Sequence, residues 1–492
     1  MLLVVDGVHV LCRAVRISPG CAGERRLGPM PLPWMPADML RTLVRDELRQ
    51  RAEEGCDVGG LISAFDEAAN DPDRLCDIFD QLAGLQPRAG LPFDEPSDLA
   101  GIRAARPTIA TPTGPPPDID EAVADRIRGG WYGRCAGLVL GKPLEAAPFV
   151  NERGAVRKYL EVAGAYPLND YVPYDARACA AVGRTDLPWP DSHRGNVRFV
   201  ESDDDIRYTI AGLEILEQKG AAFTTADVAH WWTHRLPVAD CFTAEEAAYR
   251  NLILLGAHHD PHKLDPAGFE QVRMWMNPYR EWIGAQIRAD GWALACPGNP
   301  ELAAEFAWRD ASLSHVKNGI YGEMFCAAMI ASAAVLDDPL QIVHAGLAQI
   351  PEQSRLSLAI HQTIDRCATA GFRADRFEEV LAWLAEAFAD YHWVHTINNA
   401  AAVVAAFLLG APDFGKVISI AVTCGWDTDC NGATAGCLCG TMLRAERLPG
   451  KWIHPLHDTL MSDIPGFHPI AISACARRHV AVARSVRNAY RS

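Results

Sequence analysis

Apolar residues recur at helical spacing along most of this chain. In residues 36–53 the spacing predicts a helix with one apolar side. Four residues form that side: Met39, Leu40, Leu43 and Leu48. Two shorter helices are predicted within residues 56–85, separated by an Asn-Asp-Pro-Asp sequence that suits a helix stop followed by an N-cap. Residues 1–105 are therefore predicted to form a helical accessory region that supplies no metal ligands.

Residues 106–117 are rich in proline and have no apolar periodicity, so we interpret them as a linker. From residue 118 to residue 475 helical patterns dominate, and strands do not alternate with helices. Asp118 is predicted to cap the first helix of this part, and residues 167–200 are predicted to form a long loop. The pattern predicts an all-α domain over 118–475 and a C-terminal tail over 476–492.

Glycine recurs at every fourth position on two of the predicted helices. The glycines concerned are Gly129, Gly133, Gly137 and Gly141 on the first helix and Gly432, Gly436 and Gly440 on the second. Each glycine lowers helix propensity by about 1 kcal/mol, so seven of them on two stripes need a structural reason. The reason we infer is close approach between helices in a tightly packed core.

Composition narrows the class of protein. The chain has 492 residues, of which 49% are hydrophobic and 22% are charged, as in ordinary globular proteins. Its formal charge of -16 argues against a general nucleic-acid or membrane surface, although a few arginines could still bind a small phosphorylated ligand. The 15 cysteines are odd in number and have no disulfide-like spacing, which favours buried free thiols.

The ends of the chain and its apolar runs predict a cytoplasmic protein. The apolar residues 1–5 are followed by Asp6, without a basic region or a small-residue cleavage site, so they do not resemble a signal peptide. The longest apolar runs fall well short of the ~20 residues that a membrane span requires.

Two acidic clusters are the strongest chemical signal. Residues 202–205 read Ser-Asp-Asp-Asp and residues 427–431 read Asp-Thr-Asp-Cys-Asn, each at the start of a predicted helix. Either cluster alone could be a solvated helix cap, because a helix N-terminus favours negative charge. The two together favour a hard cation such as Mg²⁺, Mn²⁺ or Ca²⁺. Such a centre would orient a diol and lower the pKa of a bound water while a carboxylate accepts its proton.

These motifs resemble those of the ADP-ribosylglycohydrolase family, which includes dinitrogenase-reductase-activating glycohydrolase. Members of the family begin the metal site with Thr-Asp-Asp-Thr and complete it with Gly-Gly-Asp-Thr-Asp-Thr. Residues 202–205 align with the first motif and residues 425–430 with the second. The glycines of residues 133–141, with Pro143 and Glu145 after them, resemble the N-terminal glycine-rich helix of the family. The resemblance covers residues 118–443, about two-thirds of the chain.

The resemblance implies a compact all-α domain that holds one or two Mg²⁺ or Mn²⁺ ions. These ions would bind the ribose hydroxyls of an ADP-ribosyl group and assist hydrolysis of its bond at C1″. The implied metal ligands are Ser202, Asp203, Asp204, Asp427 and Asp429. The implied catalytic residues are Asp204, Asp427 and Glu145, and the implied substrate-binding residues are Asn318, Gly319, Trp426 and His392.

Four positions depart from the family pattern and suggest a divergent bacterial subgroup. Cys430 replaces a threonine ligand, and a thiol is a poor ligand for Mg²⁺, which leaves one or two metals open. Asp205 replaces a threonine and leaves the register of the first motif open. Leu138 stands where relatives carry aspartate, and Trp426 stands where they carry glycine.

Several other residues leave alternatives open. Arg280 or Arg288 could bind a diphosphate or form internal salt bridges. His392 and His395 could contact phosphate, but a role in capping and packing is equally compatible with the sequence. The histidines of residues 258–262 have no fourth ligand at suitable spacing, so we discount a metal site there.

The alternative functions are hydrolysis of a ribosylated metabolite or nucleoside, and ADP-ribose binding without turnover. The sequence names neither the aglycone nor the oligomeric state.

Overall fold

The computed structural model describes residues 35–108 and 116–491, and it confirms the predicted all-α class. The N-terminal region contains α1 (Ala37–Glu53), α2 (Gly59–Ala68), α3 (Pro72–Gly84) and α4 (Leu99–Ala105). The next part of the chain contains α5 (Glu121–Gly141), α6 (Ala155–Val162), α7 (Ala176–Ala181), α8 (Asp204–Lys219), α9 (Thr225–Arg235), α10 (Thr243–Leu254), α11 (Pro266–Met274), α12 (Ala289–Ala293) and α13 (Pro300–Ala311).

The remaining helices are α14 (Lys317–Ala333), α15 (Pro339–Leu347), α16 (Arg355–Thr369), α17 (Phe377–Ala387), α18 (Thr396–Gly410), α19 (Phe414–Thr423), α20 (Thr428–Leu443), α21 (Gly450–Ile453) and α22 (Ile472–Arg491). In the described residues the only strands are β1 (Thr459–Leu460) and β2 (Ile470–Ala471), which pair antiparallel. Among the same residues, no helix is long and apolar enough to cross a membrane.

The two glycine stripes pack against each other. A Cβ atom at Gly133 would lie 2.1 Å from the carbonyl oxygen of Gly436, and one at Gly137 would lie 1.9 Å from that of Gly432. At the end of α5, a Cβ atom at Gly141 would lie 2.2 Å from the carbonyl oxygen of Thr428. Helices α5 and α20 are therefore antiparallel, in a contact that any side chain on these stripes would prevent. The contact places the end of α5 beside the start of α20.

Helices α1 to α3 form a small apolar core that also includes Met276, and buried ion pairs join the N-terminal region to the rest of the protein. Leu40, Leu43 and Leu48 are buried in this core as predicted, whereas Met39 is 51% exposed. The Arg280 guanidinium contacts carboxylates of Glu47 and Glu54 on and beside α1. In addition, Arg355 contacts Glu95.

The structure differs from the prediction at the first helix cap and in the C-terminal tail. Asp120, and not Asp118, caps α5, because its side chain accepts a hydrogen bond from the amide of Val123. Residues 109–115 of the predicted linker and residues 1–34, with the predicted absence of a signal peptide, lie outside the described residues. Most of the predicted tail after residue 475 continues α22, where buried His479 accepts a hydrogen bond from the indole of Trp131.

Candidate metal centre

The first acidic cluster lies at the entrance to α8. Asp203 is the N-cap residue, and its carboxylate accepts a hydrogen bond from the amide of Asp205 at 3.0 Å. Asp204 and Asp205 occupy the first helical turn, where the helix dipole favours negative charge. The hydroxyl oxygen of Ser202 and one carboxylate oxygen of Asp205 are buried without a hydrogen-bond partner. The helix entrance thus leaves oxygen atoms available inside the protein.

The second cluster begins α20 after a left-handed turn. Gly425 and Trp426 have φ angles of 79° and 58°, which turn the chain so that Asp427 becomes the N-cap residue. Unlike Asp203, Asp427 makes no side-chain hydrogen bond to the helix. One carboxylate oxygen of Asp427 and one of Asp429 are buried without a hydrogen-bond partner. A buried carboxylate oxygen in this state is costly unless a cation or a proton joins it.

The fold brings the two clusters and Glu145 into one centre. Glu145 directly follows the short 3-10 helix Lys142–Leu144 at the end of α5. In each of three overlapping groups, ligand atoms lie within 4.8 Å of one another. The groups are Glu145, Asp203 and Asp429; Asp205, Asp429 and Cys430; and Asp203, Asp204 and Asp205. None of them includes a residue from the described part of the N-terminal region, residues 35–108.

The crowding of carboxylates shifts their pKa values. Burial, reinforced by neighbouring carboxylates, raises the pKa of Asp204, Asp427 and Glu145 well above its usual range. Burial and the charge of Asp203 raise the pKa of Asp429 to about 6. Burial would also raise the pKa of Asp203, but the Lys142 ammonium outweighs burial and holds it below its usual range. Of these carboxylates, only Asp203 has a nearby cation that outweighs the effect of burial.

Two buried cations next to the first cluster were missed by the sequence analysis. Lys142 donates hydrogen bonds from Nζ to Asp203 at 2.6 Å and to the carbonyl oxygen of Ser202 at 2.9 Å. Arg134 contacts Asp205 at 2.8 Å and Asp290 at 2.7 Å, and all three side chains are fully buried. The sequence did contain a signal for these contacts. Arg134 lies within the glycine stripe of α5 and Lys142 directly follows it, and a charged side chain at a buried position needs a counter-charge.

Asn399 on α18 orients the second cluster and was also missed as a site residue. Its amide oxygen accepts hydrogen bonds from the backbone amide of Asp427 at 3.3 Å and from the side chain of Asn431 at 2.7 Å. Its amide nitrogen donates to the carbonyl oxygens of Trp393 and His395. Asn399 therefore fixes the start of α20 to α18, a contact that sequence spacing does not reveal.

The residues predicted to bind substrate lie in different environments. Trp426 is half-buried and immediately precedes Asp427. The His392 ring stacks on Trp282 at a centroid distance of 4.2 Å, and burial, together with nearby Arg49, lowers its pKa to about 4. His395 caps α18 by accepting a hydrogen bond from the amide of Ile397. Of these residues, Trp426 is the one adjacent in sequence to an acidic cluster, because it immediately precedes Asp427.

Asn318 and Gly319 have internal contacts. The Asn318 amide nitrogen donates to Glu95 and Glu281, and its oxygen accepts from the amide of Leu356. These bonds use both amide hydrogens of a fully buried side chain. A Cβ atom at Gly319 would lie 2.5 Å from the carbonyl oxygen of Arg280. The structure thus gives both residues internal contacts, and their role in substrate binding stays a prediction.

The two arginines considered for diphosphate binding form internal salt bridges. Arg280 is bound by Glu47 and Glu54. Arg288 is bound by Glu245 and Asp310. Both guanidinium groups are almost completely buried, so the internal alternative describes them.

The chain matches a known protein family. Residues 119–485 match the model of the ADP-ribosylglycohydrolase family. No match was found among curated proteins. Among solved structures, the chain is similar to one described as "ADP-ribosylglycohydrolase-related protein complex", with 18% sequence identity and a TM-score of 0.47, covering 75% of this chain and 100% of that chain. Because the family match spans most of its length, the chain belongs to the ADP-ribosylglycohydrolase family.

Proposed function

We propose that this protein is a metal-dependent hydrolase that cleaves an N- or O-glycosidic bond to ribose, most suitably that of an ADP-ribosyl group. The observation that carries the proposal is the convergence of Glu145 and the two acidic clusters into one buried centre. Orphaned carboxylate oxygens on Asp427 and Asp429 support a cation as the missing partner. Membership of a glycohydrolase family supports the class of reaction.

The donor atoms of the centre suit a hard divalent cation. Except for Cys430, the side chains grouped there offer oxygen, which Mg²⁺ and Mn²⁺ prefer. We assign the metal ligands to Ser202, Asp203, Asp204, Asp427 and Asp429. When bound, a divalent cation would hold the two adjacent hydroxyls of a ribose and lower the pKa of a water molecule beside them.

The carboxylates of the chain would handle the proton. In hydrolysis, the water oxygen forms a bond to C1″ of the ribose, the glycosidic bond breaks, and the leaving group takes up a proton. Asp204, Asp427 and Glu145 are the candidates to accept the water proton and deliver one to the leaving group. Asp204 and Glu145 belong to the grouped ligands, and the charge of Asp427 acts on Glu145. Trp426, half-buried beside Asp427, is positioned to pack against the sugar or its base.

Calorimetry with ADP-ribose tests the proposal. ADP-ribose, the product, should bind in the presence of Mg²⁺ or Mn²⁺ and fail to bind after chelation with EDTA. An analogue that lacks the 2-hydroxyl of the distal ribose should bind more weakly by about 1–3 kcal/mol, the scale of an unmatched buried polar group.

Three other results would change the assignment. Binding of a simple nucleoside, but not of ADP-ribose, would favour a small ribosylated metabolite as the substrate. Metal-dependent binding of ADP-ribose, with no turnover of any ADP-ribosylated substrate, would favour a binding protein. If neither ligand binds, the glycosidase assignment is wrong.

A further inference from the structure

The position of Lys142 is fixed by the contact between α5 and α20. Gly141, the last residue of α5, lies against the backbone of Thr428 and Asp429, so the next residue enters the space between the acidic clusters. Lys142 begins the short helix that leads to Glu145, and its side chain is 1% exposed. A lysine buried to this extent must have counter-charges, because an unpaired ammonium inside a protein is strongly disfavoured.

The Lys142 ammonium has a complete set of contacts. It donates to Asp203 at 2.6 Å and to the carbonyl oxygen of Ser202 at 2.9 Å. Its nitrogen also lies 4.4 Å from the centre of the Trp189 ring, within the range of a cation–π interaction. These contacts hold the ammonium against the first acidic cluster from two directions.

The anions around Lys142 are those that would otherwise hold a metal ion. Asp203, Asp429 and Glu145 are the carboxylates that raise the pKa of Lys142 above its usual range, against the effect of burial. The same three carboxylates form one of the groups with ligand atoms within 4.8 Å of one another. A divalent cation in that group would lie close to the ammonium and be repelled by it.

We propose that the Lys142 ammonium takes the place of a second cation, so that the centre holds one divalent ion, bound mainly by Asp427 and Asp429. The inference rests on the metal-dependent function proposed above. It agrees with the ion pairs of the described residues, in which Lys142 contacts Asp203 but no lysine or arginine contacts Asp427 or Asp429. Each of these two aspartates also keeps a buried oxygen without a hydrogen-bond partner. It also agrees with Arg134, which supplies a further positive charge to Asp205.

The number of bound ions tests the inference directly. Purified full-length protein, cleared of metal with a chelator, would be titrated with Mn²⁺ and followed by EPR spectroscopy, with metal content measured separately. We expect one tightly bound Mn²⁺ per chain for the wild type and two for Lys142→Met, the second giving the spectrum of a coupled Mn²⁺ pair. The conservative Lys142→Arg and the exposed control Lys416→Met should each bind one.

Each other outcome is informative. Two ions in the wild type, or one ion in folded Lys142→Met, would overturn the inference and leave the proposed function standing. No binding by the wild type would overturn both. If Lys142→Met does not fold, the numbers of ions bound by the wild type and by Lys142→Arg still test the inference. Two ions in either protein would show that a positive charge at residue 142 does not replace a metal ion.

Discussion

The two acidic clusters have similar sequences, but their charge is compensated in different ways. In the first cluster, Lys142 forms an ion pair with Asp203, and Arg134 forms one with Asp205. In the second cluster, Asp427 and Asp429 each keep a buried oxygen without a hydrogen-bond partner in the described part of the chain. Buried cations of the protein therefore balance part of the first cluster, although one oxygen of Asp205 also lacks a hydrogen-bond partner. Among the described residues, no lysine or arginine forms an ion pair with Asp427 or Asp429. The acidic motifs identify possible metal ligands, but they do not by themselves predict how many ions bind.

The largest effect should come from removing the Arg134 guanidinium, which contacts the first cluster. In Arg134→Met, Asp205 and Asp290 would be buried without their counter-charge, and the free energy of unfolding should fall by about 3–5 kcal/mol. Urea denaturation and the thermal midpoint measure this loss. Arg177→Met is the matched control, because the Arg177 side chain is 81% exposed and should change stability by only about 0.5 kcal/mol or less. Equal stability of both variants would show that the first cluster is not balanced by Arg134.

Removing a carboxylate from the second cluster should have the opposite effect on stability. In Asp429→Asn, Mg²⁺ affinity and activity should each fall by at least about 100-fold, because a ligand matters at least as much as the residues that support it. The metal-free protein should keep or raise its thermal midpoint, because the charge of Asp429 no longer repels those of Asp203 and Asp427. Calorimetry and thermal melts in EDTA measure the two quantities.

Asp390→Asn serves as the control for Asp429→Asn, because Asp390 is exposed and lies outside the acidic groups. It should leave metal affinity, activity and stability unchanged. Full metal content and activity in Asp429→Asn would remove Asp429 from the metal site. A large loss of stability in EDTA would contradict the difference between the clusters.

Local sequence signals predicted much of this arrangement. The glycine stripes indicated close helix contacts and the acidic motifs indicated helix entrances, because both depend on residues a few positions apart. The first cap was displaced by two residues, from Asp118 to Asp120, which is the usual uncertainty of helix ends. In contrast, the partners of Lys142 and Asn318 are 61 and 223 residues away, and only the tertiary fold determines such pairs.

Disturbing the contact between α5, which leads to Glu145, and α20, which begins with the second cluster, should have an intermediate effect. In Gly137→Ala, the new Cβ atom would lie 1.9 Å from the carbonyl oxygen of Gly432, so α5 and α20 must separate. Such overpacking should cost about 1–3 kcal/mol of stability and weaken Mg²⁺ binding by moving the second cluster away from Glu145. Gly60→Ala on α2 is the control, because no atom lies within 4 Å of its added Cβ. That control should instead gain up to about 1 kcal/mol in stability.

If Gly137→Ala keeps wild-type stability, the two helices have more freedom than the glycine contact implies. If stability falls while Mg²⁺ affinity is unchanged, the position of the second cluster relative to Glu145 does not determine the affinity of the metal site.

The smallest effect concerns the one soft donor of the second cluster. Cys430 is grouped with Asp205 and Asp429, and burial raises the pKa of its thiol well above the usual range, so it remains protonated. In Cys430→Thr, a hydroxyl oxygen replaces sulfur at similar size, and Mg²⁺ should bind about 3- to 10-fold more tightly without a change in the number of ions. Cd²⁺, which prefers thiolate, should bind more weakly to the same variant.

Calorimetric titrations with the two metals measure both changes. Cys439→Ala is the control, because Cys439 is buried on the same helix but outside the grouped ligands. Unchanged affinity for both metals in Cys430→Thr would show that residue 430 does not face the ion. The second cluster would then bind its ion through Asp427 and Asp429, without a contribution from the side chain of residue 430.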